Sequence, residues 1–154
     1  MSRRAQITMS ADELAAFLHE RRVVVCATNG HDGWPHLMPL WYVVREGELW
    51  AWTYAKSQKV RNLERDPRAT LQVEAGERYD ELRGVMIAAR AVIHRELEIV
   101  AGLGAELLER YSGAAAGGPE FLEVIRAQAA KRVGLQFVVQ RVASFDHRKL
   151  GGVY

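Results

Sequence analysis

Residues 49–74 read LWAWTYAKSQKVRNLERDPRATLQVE, and the architecture is set by how this stretch is punctuated. Leu49–Tyr54 is rich in aromatics and alternates along its length, which predicts a strand. Ser57 stands where a helix N-cap would, and a short helix over 57–66 follows. Asp66-Pro67 ends it, because the residue before a proline is disfavoured in helical backbone. Residues 68–75 then alternate with period two and predict another strand. The helix between the two strands is therefore a brief interruption.

Working outward, the flanks are also mostly strand. Residues 21–30, RRVVVCATNG, are β-branched and end on Asn29-Gly30; Asp32-Gly33 marks a second turn. The run HLMPLWYVV predicts one strand that turns through Arg45-Glu46-Gly47-Glu48 into the Leu49 strand as a hairpin. Pro39 lacks a ladder donor and places that strand at an edge or a bulge. Beyond Glu74, RGVMIAARAVIHR and RVGLQFVVQRVASF predict two more strands. Helices are expected at 11–20, from about Glu96 to Tyr111, and from Pro119 to Ala130. The first opens with a Ser10/Glu13 capping box, and the last should bury Phe121, Val124 and Ile125. SGAAAGGP, residues 112–119, reads as a mobile surface loop between the last two helices. The order is helix, three strands, short helix, two strands, two helices, final strand. Helices are missing between most strands, so the fold is mainly β (α+β) and antiparallel, a barrel or sandwich, and not doubly wound.

The bulk numbers narrow the function. The chain has 154 residues with 49% hydrophobic and 26% charged, which suits one domain over 1–154 with a full core. A net charge of +2 gives no global field toward nucleic acid or membrane. The single cysteine, Cys26, lies in an apolar run and reads as a buried small hydrophobe. No apolar run is long enough to span a membrane or to serve as a signal peptide, and a reducing cytoplasm is the expected location. The five histidines fall in no metal-ligand pattern, and no nucleophile elbow, Walker loop or Rossmann fingerprint is present. Any chemistry should then come from a bound cofactor, with no protein-held metal.

The helix after Tyr54 is where such a group would sit. A helix N-terminus favours anions, yet Lys59 occupies its second position with Lys56 and Arg61 nearby. A bound phosphate would turn this charge mismatch into charge-assisted bonds, with Thr53 and Ser57 adding hydroxyls. The ordinary alternative is a solvated basic face offset by Glu64 and Asp66. Trp41, Trp50 and Trp52, with Tyr42 and Tyr54, lie on the preceding hairpin, where a planar ring could rest. Alternation puts Trp50 and Trp52 on one face and Trp41 and Tyr42 on opposite faces, so they cannot all serve one ligand.

These residues resemble the pyridoxamine 5′-phosphate oxidase-like split β-barrels, from VVVCATNGHDGWPHLMPLWYVV through SQKVRNLERDPR to SFDHRKLGG. Within that group they are most similar to the deazaflavin (coenzyme F-420)-dependent reductases. The resemblance implies a homodimer of antiparallel six-stranded split barrels of the FMN-binding type, with flanking helices and cofactor sites at the subunit interface. It implies that Thr53 and Lys59 hold the cofactor phosphate, with Trp52, Ser57 and Gln58 beside them. Arg61 and Asn62 match the deazaflavin pattern, and Met38, Pro39, Leu40 and Trp41 correspond to the backbone edge that meets the ring. Asp146 and His147 correspond to residues arriving from the partner chain. Met38 stands where the vitamin B6 oxidases carry arginine, and their C-terminal arginine motif has no counterpart in DHRKLGGVY, so B6 oxidase activity is not expected. The implied reaction is hydride delivery from coenzyme F-420 to a conjugated C=C, quinone or imine, with His147 and Tyr154 as candidate proton donors. An FMN-dependent oxidoreductase, or a non-catalytic cofactor carrier, fits the same residues. A nucleic-acid-binding barrel is disfavoured by the near-neutral charge.

Overall fold

The computed structural model describes residues 2–113 and 118–152. In chain order it contains α1 (Arg3–Ile7), α2 (Ala11–Glu20), β1 (Val23–Asn29), β2 (Pro35–Trp41), β3 (Val43–Arg45) and β4 (Glu48–Tyr54). Then come α3 (Gln58–Arg65), β5 (Arg68–Ala75), β6 (Arg83–His94), α4 (Leu97–Ser112), α5 (Pro119–Ala129) and β7 (Arg132–Asp146). Short 3-10 turns cover Tyr79–Glu81 and His147–Leu150.

Local chemistry explains most boundaries. Ser10 and Glu13 form the expected reciprocal capping box on α2. Glu46 and Gly47 both have positive φ, 51° and 79°, the geometry of a tight hairpin turn between β3 and β4. Asp66 caps α3 in extended backbone before Pro67. Pro119 begins α5. Five residues at the N-terminus form α1, which the sequence pattern did not mark.

All seven strands form one antiparallel sheet in the order β2-β1-β5-β6-β7-β4-β3. The expected count was six. The difference lies in HLMPLWYVV, which divides at Tyr42 into β2 on one edge of the sheet and β3 on the other. One residue joins the two edges, so the sheet must curl until they meet, and this makes it a barrel with a seam at Tyr42. Pro39 lies on the edge strand β2, where its missing N–H breaks no second ladder.

Inward side chains alternate along each strand: Val24 and Cys26, Leu71 and Val73, Val85 and Ile87, Leu135 and Phe137, Leu49 and Ala51. Phe17 and Leu18 of α2 and Val60 and Leu63 of α3 join this core. A second layer forms outside β4. There Val100, Leu103 and Leu107 of α4 and Ile125 of α5 pack around Trp50 and Trp52. Ile125 is buried and Phe121 half-buried as expected, but Val124 points to solvent at 60% exposure, because the buried stripe of α5 continues to Ala129 at helical spacing.

Candidate functional site

The start of α3 abuts the ends of β4 and β1. Thr53 alternates with Leu49 and Ala51 and therefore points to the barrel interior, where Lys59 Nζ donates to its hydroxyl at 3.1 Å. Both residues are buried, Lys59 to 7% exposure. Burial lowers the Lys59 pKa, since desolvation penalises the ammonium. Glu64 pairs instead with Arg95, and Asp66 with Arg68 at 2.7 Å. Among the described residues, then, neither Lys59 nor the exposed Lys56 and Arg61 has a carboxylate partner. The offsetting acids of the solvated-face reading are spent elsewhere.

Ser57 occupies the N-cap position with extended backbone, φ −68° and ψ 154°, but its hydroxyl makes no capping bond. Its Oγ is buried and has no partner at all. An unsatisfied buried hydroxyl costs about 1–3 kcal/mol. Beside it lie the N–H groups of Gln58 and Lys59 at the start of α3 and a buried ammonium with one hydrogen bond. Each of these has donor capacity to spare, the set a phosphate would complete. The residues present therefore fit the anionic end of a nucleotide-like cofactor.

The remaining candidates divide. Asn62 is fully buried; it donates to Thr28 at 3.0 Å and accepts from Gln58 at 2.9 Å, tying α3 to β1. Trp52 is half-buried on the opposite face of β4 from Thr53, so its ring is not in the Thr53–Lys59–Ser57 group. It lies under α4, where a Cβ on Gly104 would come within 2.4 Å of the ring. Met38, Pro39 and Trp41 are exposed and Leu40 half-buried along β2, which runs from His36, opposite Thr28, away from α3. His147 follows β7, whose other end pairs Arg132 with Tyr54, next to Thr53 in the Thr53–Lys59–Ser57 cradle. A fifteen-residue strand separates them, so the chain does not bring its own His147 to Lys59. His147 Nδ1 lies 3.0 Å from the Tyr79 carbonyl, and its ring tilts against Tyr79 and Phe145. Near Phe145 is an apolar groove of about 490 Å³, floored by Gly84, Val85, Met86 and Phe145 and edged by Gln72 and Arg4. Tyr154 and residues 114–117 of the SGAAAGGP stretch lie outside the described residues.

Sequence reading missed His36, whose Nδ1 is buried without a partner on the strand opposite Thr28. Nothing in its spacing distinguishes it from the other four histidines. Burial pushes the Cys26 thiol up to about 12, with the nearby Lys59 charge pulling slightly the other way, so it remains a protonated core residue. No group of three His, Cys, Asp or Glu is placed to hold a metal among the described residues. None of their helices is long and apolar enough to cross a membrane.

Residues 10–146 match the family described as pyridoxamine 5′-phosphate oxidase. The chain belongs to that family. The family assignment agrees with the seven-stranded curled sheet and with a solved structure of a conserved hypothetical protein from Mycobacterium tuberculosis. That structure is 43% identical with a TM-score of 0.90, over 100% of this chain and 95% of the other. The fold is shared at lower identity by a structure named an F420 reductase, 20% identical with a TM-score of 0.65, over 82% of this chain and 93% of the other. An FAD-binding protein from Mesorhizobium loti shares the fold as well, 21% identical with a TM-score of 0.67, over 89% of this chain and 94% of the other. No curated protein sequence matches the chain.

Proposed function

We propose that this family member is an oxidoreductase dependent on the deazaflavin coenzyme F-420, acting as a homodimer on a conjugated C=C, quinone or imine. The observation that carries the reading is the buried Lys59 ammonium, bonded to Thr53 and lacking any carboxylate, beside the unpartnered Ser57 hydroxyl. Thr53, Ser57 and Lys59 would hold the phosphate, with the exposed Arg61 and Gln58 at the rim of the same helix start. The backbone of Met38–Trp41 on the free edge of β2 would meet the ring. The reduced deazaflavin supplies a hydride equivalent, a two-electron donor. The chain's own work is to anchor the anion, align the ring and exclude water. Since β7 separates His147 from the cradle of its own protomer, His147 is assigned to the partner's site, where it would present a ring nitrogen as proton donor.

The same donors would bond to the phosphate of FMN, and the barrel is shared with an FAD-binding protein, so FMN is the second reading. Side-by-side titration of the purified protein with deazaflavin and FMN, followed by ring fluorescence, separates the two. Deazaflavin binding with loss of affinity in Lys59→Ala/Arg61→Ala is expected. Tight FMN binding without a deazaflavin response overturns the proposal.

A further inference from the structure

Tyr42 is the single residue between the two edge strands, and its backbone groups have no ladder partner. The end of α4 supplies them. Tyr42 N donates to Tyr111 Oη at 3.0 Å, and Arg110 donates to the Tyr42 carbonyl at 2.8 Å. The Tyr111 hydroxyl donates in turn toward the carbonyls of Arg22 and Tyr42. Tyr111 is thus fixed by its oxygen, and its ring is stacked on Trp41 at 4.4 Å between centroids and 13° between planes. Trp41 remains 51% exposed, so one face rests on Tyr111 while much of the ring stays open.

We infer that Tyr111 is a positioning residue: it holds Trp41 flat at the end of β2, so that Trp41 presents a rigid aromatic face to the planar ring of the bound cofactor. The inference rests on the proposed ring site along Met38–Trp41. A free tryptophan on an edge strand samples several rotamers, and ordering it on binding would weaken affinity. Stacking on Tyr111 removes that cost beforehand. Within that site Tyr111 contacts Trp41, and it acts on the cofactor ring through Trp41.

The test is a double-substitution cycle in the full chain, with deazaflavin affinity read by ring fluorescence and Trp41 order read by near-UV circular dichroism. Trp41→Leu alters an exposed side chain and should fold; it is expected to weaken binding about five- to tenfold, the range of an aromatic pair. Tyr111→Leu should weaken it about as much, and should add nothing once Trp41 is already leucine. Tyr111→Phe keeps the stack while losing the hydroxyl, so it should lower stability yet bind within about twofold of the parent. Unchanged affinity in Trp41→Leu, or additive losses in the double variant, overturns the inference and leaves the phosphate cradle standing. A parent protein that binds neither deazaflavin nor FMN removes the cofactor reading itself, and the inference with it.

Discussion

The seam at Tyr42 and the cradle at α3 are both places where the barrel buries polar groups, and they treat them in opposite ways. At the seam the N–H, the carbonyl and the hydroxyl of Tyr42 all have partners. Arg110 donates to the carbonyls of Leu18, His19, Arg21 and Tyr42, and the Tyr42 hydroxyl donates to Leu18 O at 2.6 Å. The carbonyls of Leu18, His19 and Arg21 belong to the C-terminal end of α2, which suits a cation. At the cradle Ser57 Oγ has no partner and Lys59 has one. A matched network stabilises the chain by itself. An unmatched one is tolerated where a ligand completes it.

The comparison breaks first, and with the largest effect, at the seam. Arg110→Ala should lower stability by about 2–4 kcal/mol, because it removes the charge-assisted hydrogen bonds to four carbonyls at once. Chemical denaturation measures this, and a loss below half a kcal/mol would show that the seam is not held by Arg110. Next is Lys59→Met. Cofactor affinity should fall by about 1.5–3 kcal/mol, the worth of a charged hydrogen bond, while the cofactor-free protein is no less stable than the parent. A destabilised apo-protein with unchanged affinity would make Lys59 structural. Ser57→Ala should act the same way on a smaller scale. The apo-protein is expected to keep or gain up to about 1 kcal/mol, since an unsatisfied hydroxyl is removed, and to bind the cofactor several-fold more weakly.

The smallest effect is a difference in pH dependence. Burial lowers the Lys59 pKa below its ordinary value of 10.5. The unfolded chain then binds the proton more tightly, so the cost of burying Lys59 eases as pH rises toward 10.5. Burial pushes Tyr42 from 10.0 up to about 12, and its contribution is intact below pH 10 and lost as pH climbs through 12. Denaturation curves of the parent and Lys59→Met should therefore converge as pH rises toward 10.5. The advantage of the parent over Tyr42→Phe should shrink only above pH 10. Parallel curves in both pairs would contradict the burial of these two groups.

Much of this was legible because it is local. The capping box of α2, the Glu46-Gly47 turn, the Asp66-Pro67 stop and the alternation in β4 to β7 each depend on a few neighbouring residues. The same alternation correctly put Trp50 and Trp52 on one face and Trp41 and Tyr42 on opposite faces. Arg110 and Tyr111 went unnoticed because a basic and an aromatic residue in the last turn of a helix are common, and nothing in their spacing points to a residue seventy positions earlier. The tyrosine in LWYVV was a weak signal: a hydroxyl in an apolar run must find a partner when it is buried.

By itself, then, the sequence determined the strands, the short helix after Tyr54 and the clustering of bases at its start, since propensity, capping and period two are short-range effects. Only the tertiary structure decided that HLMPLWYVV breaks at Tyr42, because an unbroken strand cannot lie on both edges of a closing sheet. It alone decided that Lys59 turns inward to Thr53 while Glu64 and Asp66 turn to Arg95 and Arg68. Ion pairing and burial are settled between elements that meet only when the barrel closes, and so the mismatched lysine became a buried, under-bonded cation.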